Sequence, residues 1–371
     1  MQALFLKDPV VSETDFESGV RDSFPACSVM RYTPDLKSQW NGFLPEAKNA
    51  TFLFDRDYMD YHHDRFIDHS LMIYRGNTLV GLLPGNLAAD GRLVSHEGLT
   101  YGGLIVSRAA MLKEVAGCLY SVMRHLNEEQ ISKWVYKRIP TFYNTIPDDD
   151  VAYALFLVGA RLYRRDCAMT ISEGNRLPCI KSRRALINKT AGFGISFVQE
   201  TSFQPFWDRV LVPQLAARYG VKPVHTLQEI SLLAARFPKN IRQFSSYCGD
   251  EIVSGATIYE TPTVAHLQYA AVTDKGRRMG AQAGLFNWMI DHYHEKNFFD
   301  FGTSNESDGR VINHGLLRWK EGFGARCYTH DYYEVTTANY GKLEPILEGK
   351  AEVFFPPHEW EAEAECEGLQ L

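Results

Sequence analysis

The sequence contains no C-x-x-C pair, and its seven cysteines form an odd set. Neither a disulfide framework nor a zinc ribbon is indicated, and a reducing cytoplasm suits the chain. No long apolar run is present: the best, "VAYALFLVGA" (Val151 to Ala160), is about half of the ~20 residues that a membrane span needs. "MQALFLKDPV" offers no charged segment followed by an apolar one, so the expectation is a soluble, unsecreted protein without membrane insertion. Cationic excess is lacking too. Eight glutamates against two lysines between Gly341 and Leu371 account for the whole formal charge of -6, and the neutral remainder suggests no nucleic-acid surface. That acidic end is read as a solvated tail. The chain also lacks a G-K-S/T phosphate loop, a G-x-G-x-x-G fingerprint and a G-x-S-x-G elbow, which sets aside P-loop, dinucleotide and serine-hydrolase readings. "HH" at His62-His63 and "HYH" at His292 to His294 have no carboxylate partners at familiar spacing, so no metal is expected.

What the chain does have is a phrase used twice. "GARLYRRD" (Gly159 to Asp166) and "GARCYTHD" (Gly324 to Asp331) share the pattern G-A-R-x-Y-x-x-D. Each stands where a helix ends and a last strand begins. In the first half a helix pair precedes a hairpin turning at Gly76-Asn77. A long amphipathic helix with Met111, Val115, Leu119, Val122 and Leu126 at helical spacing then leads to strand "KWVYKRI", helix "DDDVAYALFLVG" and strand "RLYRRDCAMTIS". From about Asn175 the order restarts. Helices "SFQPFWDRVLVPQLAARYG" and "TLQEISLLAARF" precede a hairpin at Gly249-Asp250, and strand "VAHLQYAAV", a helix, strand "FFDFG", helix "GLLRWKEGFG" and strand "ARCYTHDYYEV" follow. The matching order predicts an internal duplication of one α/β unit. The expected division is an N-terminal segment (1–32), a first domain (33–174), a second domain (175–340) and the acidic tail (341–371).

One stretch invites a ligand. "GRRMGA" lies between a strand and a helix, with Gly276 and Gly280 baring the backbone and Arg277 and Arg278 supplying charge around Met279 and Ala281. Unpaired N–H groups at a helix start suit phosphate oxygens.

The run from "VTDKGRRMGAQ" through "FFDFGTSNESDGR" to "LLRWKEGFGA" resembles the Gcn5-related N-acetyltransferase (GNAT) superfamily in its tandem form, the FemAB-like and cellulose-biosynthesis-protein-like acetyltransferases. That family's phosphate motif, Q/R-x-x-G-x-G/A, falls on Arg277, Gly280 and Gln282, where Gln282 departs from the small residue preferred. "DFG" (Asp300 to Gly302) and "K-x-x-F-G" (Lys320 to Gly324) match the tandem form more specifically. The resemblance implies an α/β (α+β) fold of two tandem GNAT-like domains, each a mixed, mostly antiparallel sheet flanked by helices. It also implies an acyltransferase that uses acetyl-CoA or another acyl-CoA at Val272 and Gly276 to Ala281, with no metal, and a small-molecule amine as acceptor in the cleft between the halves.

Such a reaction needs a group to take the amine's proton and, at the end, one to protonate the thiolate. His314, Asp300 and Glu306, all near the loop "GTSNESDGRVINHG", are the candidate bases, with Asp300 also readable as a buried carboxylate that fixes the loop. The helix "HGLLRWKEG" lacks the tyrosine that many family members use on the thiolate; Tyr269 and Tyr328 are the substitutes. For the acceptor, "SHEGLTYGG" offers His96 and Tyr101, "YKRIPTFY" offers Tyr136, Lys137 and Tyr143, and Ser304, Asn305 and Lys320 stand in or after the "FDFG" loop. A sugar or peptide amine suits this set. Two other readings stay open: transfer of an amino acid from aminoacyl-tRNA to a cell-wall precursor, as some FemAB-like proteins perform, and a non-catalytic ligand-binding copy.

Overall fold

The computed structural model describes residues 27–349, so the acidic run beyond Gly349 lies outside it. Two-residue turns organise both halves. With Gly76 at φ +58° the strand Leu71–Arg75 folds back on Thr78–Leu83, and with Gly249 at φ +58° Ile241–Cys248 folds back on Glu251–Glu260. Tight hairpins need that positive φ.

The first hairpin, with Ser28–Arg31 and Ile105–Val106, makes a four-stranded sheet. The second belongs to an eleven-stranded sheet in the order Ile195–Glu200, Ile241–Cys248, Glu251–Glu260, Val264–Val272, Phe298–Thr303, Arg161–Ser172, Arg326–Thr336, Lys133–Lys137, Leu93–Val94, Asn86–Leu87, Ile67–Asp68. Only two neighbouring pairs in it are parallel, one in each half: Val264–Val272 with Phe298–Thr303, and Leu93–Val94 with Lys133–Lys137. Mixed, mostly antiparallel sheets flanked by helices are thus the fold, as the sequence predicts.

The strand order does not follow the division at residues 174 and 175. Arg161–Ser172, which ends the first half, pairs with Phe298–Thr303 of the second, while Arg326–Thr336, which ends the second half, pairs with Lys133–Lys137 of the first. The two exchanged strands carry the repeated phrase and pair with each other, Arg165 opposite Asp331 and Asp166 opposite His330. Their opening glycines take φ +68° (Gly159) and +94° (Gly324), a region that penalises any Cβ. At Gly324 a Cβ would also stand 2.3 Å from the Leu177 carbonyl.

Three apolar clusters form the core. The helix Leu112–Glu128 turns Val115, Leu119, Val122 and Leu126 inward, but Met111 is its N-cap and 71% exposed; the apolar period starts one turn later than the sequence suggests. The expected helix over "SFQPFWDRVLVPQLAARYG" resolves into Gln204–Phe206, a π-helical turn Trp207–Leu211 and Val212–Tyr219. A helix not foreseen, Lys181–Ala191, precedes them, followed by the edge strand Ile195–Glu200. The start of the supposed tail is ordered: Thr337–Leu343 and Glu344–Glu348 are helical and pack on Leu112–Glu128, with Leu343 wholly buried. Among the described residues no helix is long and apolar enough to cross a membrane.

Candidate active site

The site begins where two parallel strands part. Val264–Val272 and Phe298–Thr303 stay in register only through Val264 with Phe298, Ala265 with Phe299 and His266 with Asp300. Each strand carries an irregularity at that level. Against Glu251–Glu260 the register steps from Thr257 opposite Tyr269 to Ile258 opposite Leu267, leaving Gln268 as an extra residue. On the other strand Asp300 faces Thr170 and Thr303 faces Ala168, with Gly302 at φ +71° between. Extra residues bend a strand and increase its twist, so the edge from Leu267 to Val272 swings away and has no strand partner on that side among the described residues.

At the apex of the split stand the last paired residues. Asp300 is buried and accepts four hydrogen bonds: from His266 Nδ1 (2.7 Å) and the Tyr143 hydroxyl (3.0 Å) at Oδ2, and from Gly302 N–H (2.8 Å) and Thr170 Oγ1 (3.1 Å) at Oδ1. Burial alone would raise its pKa, but His266 and these donors outweigh it and hold the carboxyl below the usual range. The bond from Gly302 gives the D-F-G motif its physical content: the glycine turns so that its own N–H closes on the carboxylate two residues back. An ionised Asp300 fixes the proton of His266 on Nδ1 and leaves Nε2 as the nitrogen able to accept one.

Two cavities meet at this apex. One, about 310 Å³, is lined by Thr100, Tyr101, Phe142, Tyr143, His266, Gln268, Asp300 and His330. The other, about 690 Å³, runs along the unpartnered edge between the helices Val212–Tyr219 and His314–Glu321, with Ala270, Ala271, Val272 and Phe286 on its floor and Arg218, Arg277 and Gln282 along its wall. Leu267, Phe301 and Thr303 line both. Lys320 lines the larger cavity and donates from Nζ to the carbonyls of Gly302 (2.9 Å) and Thr303 (2.6 Å). Burial pushes its ammonium down to about 8, against the attraction of Asp300. The K-x-x-F-G motif therefore ties a buried amine to the turn made by D-F-G.

Residues 181–321 match the family described as an acetyltransferase (GNAT) domain. The stretch that carries the split and the larger cavity is thus similar to a GNAT domain. Among solved structures FemX is similar with a TM-score of 0.59 at 10% identity, over 85% of this chain and 99% of that one. A conserved protein of unknown function from Bacteroides thetaiotaomicron gives 0.55 at 10% identity, over 83% and 99%. A tandem GNAT protein from the clavulanic acid biosynthesis pathway gives 0.46 at 12% identity, over 84% and 98%. No curated protein matches.

Only one of the two parallel pairs opens into a split. In the first half the parallel pair Leu93–Val94 and Lys133–Lys137 is as short, but the loop from His96 to Gly103 fills the space beyond. Lys137 is buried there and donates from Nζ to the carbonyls of His96 (3.0 Å) and Leu99; burial, with Arg164 nearby, lowers its pKa to about 7. The glycines of the loop are set by contact: a Cβ at Gly98 would lie 2.2 Å from His62 Nε2, at Gly102 2.2 Å from the Ser95 carbonyl, and at Gly103 2.6 Å from the Tyr136 ring. The outer side of this plug, Thr100 and Tyr101, forms part of the smaller cavity.

The residues singled out in the sequence divide accordingly. Asp300, Tyr101 and Tyr143 line the smaller cavity, and Lys320, Val272 and Arg277 the larger. His314 is exposed at the first turn of its helix, whose N-cap is Asn313, and lines neither cavity. Glu306 is exposed and accepts from Asn313. Tyr269 lies on the other face of its strand, where its hydroxyl meets His225 Nδ1 at 2.6 Å and burial raises its pKa to about 12. Tyr328 packs against Phe142 and Phe298. His96 and Lys137 belong to the plug, and the Tyr136 hydroxyl accepts from Leu104 N–H. Ser304 and Asn305 brace the strand Arg161–Ser172 through Cys167 and Asp166.

The "GRRMGA" stretch is a short helix, Asp274–Met279, and a second, Ala281–His292, with Gly280 between at φ +76°. A Cβ at Gly276 would strike the Val253 carbonyl (2.3 Å) and one at Gly280 the Leu186 carbonyl (2.5 Å), so these glycines serve close packing. Met279 and Ala281 are buried, and Arg278 lines neither cavity. His266, the residue the apex turns on, gave no sequence signal: in "VAHLQYAAV" it reads as one more half-buried strand position.

Proposed function

We propose that the protein moves an acyl group from acetyl-CoA or another acyl-CoA to a primary amine, an amino sugar or cell-envelope precursor being the acceptor class, and that it acts in the cytoplasm. The observation that carries this reading is the Asp300-held His266 at the point where the two cavities meet. The larger cavity fits the donor: its apolar floor and unpartnered strand edge suit an extended amide-bearing arm, and Arg218 and Arg277 lie where phosphates would sit. Arg277 has no ion pair among the described residues, and Arg218 only one, 3.7 Å from Asp274. The smaller cavity holds the acceptor.

His266 Nε2 takes a proton from the amine as its nitrogen bonds to the acyl carbon. Strand N–H groups freed by the split are placed to donate to the carbonyl oxygen as it gains charge. When the carbon–sulfur bond breaks, Lys320 gives its proton to the departing thiolate, a role for which a buried ammonium of pKa about 8 is well matched to a thiol. Each turnover thus releases the amide and the thiol with no net proton: the one gained by His266 balances the one given by Lys320, and exchange with water restores the two side chains.

The test is thermal unfolding with acetyl-CoA, beside the variant Gly315→Trp. Gly315 lines the larger cavity, and a Cβ added there meets nothing nearer than 3.7 Å, so the indole fills the donor space without disturbing the core. Ligand at about a hundred times its Kd stabilises a fold by ~2.7 kcal/mol, a shift of several degrees that the variant should lose. No shift in the parent with acetyl-CoA or longer acyl-CoAs refutes the donor assignment and moves it to aminoacyl-tRNA.

A further inference from the structure

We propose that His330 reads a hydroxyl group of the acceptor, and that the amine-bearing part of the acceptor is an otherwise uncharged, hydroxyl-rich ring of monosaccharide size. This inference rests on the acyl-transfer reading and specifies its acceptor. His330 sits on the exchanged strand Arg326–Thr336, opposite Asp166, with its ring against Tyr332 (4.6 Å between centroids). It is 3% exposed and lines the smaller cavity, and its Nε2 is buried without a partner among the described residues. Buried ring nitrogens are nearly always hydrogen-bonded, because leaving one unmade is costly. The cavity is where a partner can come from.

The charge of the cavity narrows the class. Among the described residues no lysine or arginine lines it, and the one carboxylate among them, Asp300, is already engaged by four donors. A phosphate or carboxylate on the acceptor would enter without a counter-charge, and so would a second ammonium. Burial, with Lys137 near, holds His330 neutral by lowering its pKa to about 3, so it offers a hydrogen bond and not a charge. Tyr101, Phe142 and Tyr143 supply flat faces for a ring, while Thr100, Gln268 and Thr303 supply polar groups around it. At about 310 Å³, the space is at the lower end of small-molecule pockets, which span ~300–1,000 Å³.

The experiment compares acceptors on the full chain with acetyl-CoA, reading thiol release, and reads acceptor binding separately by saturation-transfer NMR. Glucosamine is set against cyclohexylamine, which keeps the ring and amine without hydroxyls, and against glycine and spermidine, which add charge. We expect kcat/KM for glucosamine to exceed the other three by tenfold or more. His330→Leu should lose at least tenfold of that value, mostly in KM and more than with cyclohexylamine, and His330→Gln should recover part of it. Equal use of glucosamine and cyclohexylamine by the parent protein overturns the proposal without any variant, as does preference for a charged acceptor. If no amine releases thiol, the acyl-transfer reading fails on its own, and the NMR arm still decides: glucosamine binding lost in His330→Leu and kept in His330→Gln supports the site, and binding equal in all three, or absent from the parent, overturns it.

Discussion

Replacing Asp300 by asparagine changes one atom and should stop the reaction while leaving the fold standing. The reasoning lies in which of the four donors can adapt. If the asparagine oxygen takes the place of Oδ1, it still accepts from Gly302 N–H and Thr170 Oγ1, and its NH₂ faces His266 and Tyr143. Tyr143 can rotate its hydroxyl to accept, and His266 can move its proton to Nε2. The opposite orientation sets NH₂ against the Gly302 N–H, a backbone donor with no alternative, so the first is preferred. His266 then presents N–H to the acceptor where it should present a lone pair. Loss of general base catalysis costs ~10²–10⁴ in rate. The cost in stability is one rearranged buried network, about 1–2 kcal/mol, a few degrees in Tm. Thiol release from acetyl-CoA measures the first, calorimetry the second, and the ¹⁵N shifts of His266 report the tautomer directly. A variant that keeps kcat within threefold, or whose His266 still carries its proton on Nδ1, refutes the assignment of the base. The sign in acid follows from the same residue: its folded pKa lies below that of the unfolded chain, so its stabilisation is complete above about pH 4 and is lost as pH falls through the folded value. Asp300→Asn should remove that part of the acid transition.

Lys320→Met tests the other end of the reaction. With an ammonium pKa of about 8, the parent's rate should fall as pH rises through 8, and the methionine variant should lack this limb and run ~10²-fold slower below it. Because the folded pKa lies under the unfolded value near 10.4, the parent should also gain stability between pH 8 and 10.4 relative to the variant, as the fold is relieved of a charge it disfavours. In the plug, Gly103→Ala places a Cβ 2.6 Å from the Tyr136 ring at φ +92°; strain and overpacking together predict a loss of ~2–4 kcal/mol, read as a lower Tm, and an unchanged Tm would show that the plug yields.

Local physics was legible in the sequence, and parts of the site were not. The two hairpin turns followed from Gly-Asn and Gly-Asp alone, since few other residue pairs accept that backbone. Asp300 as a buried, loop-fixing carboxylate also followed, because D-F-G encodes the bond between its first and third residues. Lys181–Ala191 escaped because "KSRRALINKTA" buries only Arg183 and Thr190 fully and so shows little apolar period. His314 looked better than His266 because it stood in a loop rich in polar residues. What favours His266 is a parallel partner 34 positions away, and register between distant strands leaves no mark on a local pattern. The glycines of "GRRMGA" have a second role for a related reason: a bare backbone serves a carbonyl from a neighbouring element, here Val253 and Leu186, as well as it serves a phosphate.

The exchanged strands bear on where such a chain came from. Adding 165 to any position of Arg161–Asp166 gives its counterpart in Arg326–Asp331, and applying that rule to the pair Arg165–Asp331 returns the pair Asp166–His330, which the register also contains. The two strands therefore meet about a local two-fold axis, each presenting the same stretch to the other, as identical subunits do across an isologous interface. A single-unit ancestor could have made this contact with a second copy of itself, lending its last strand across the axis. Fusion of the two copies would then have kept the interface and freed the partners to differ, one split staying open while the other closed on its own glycine-rich loop.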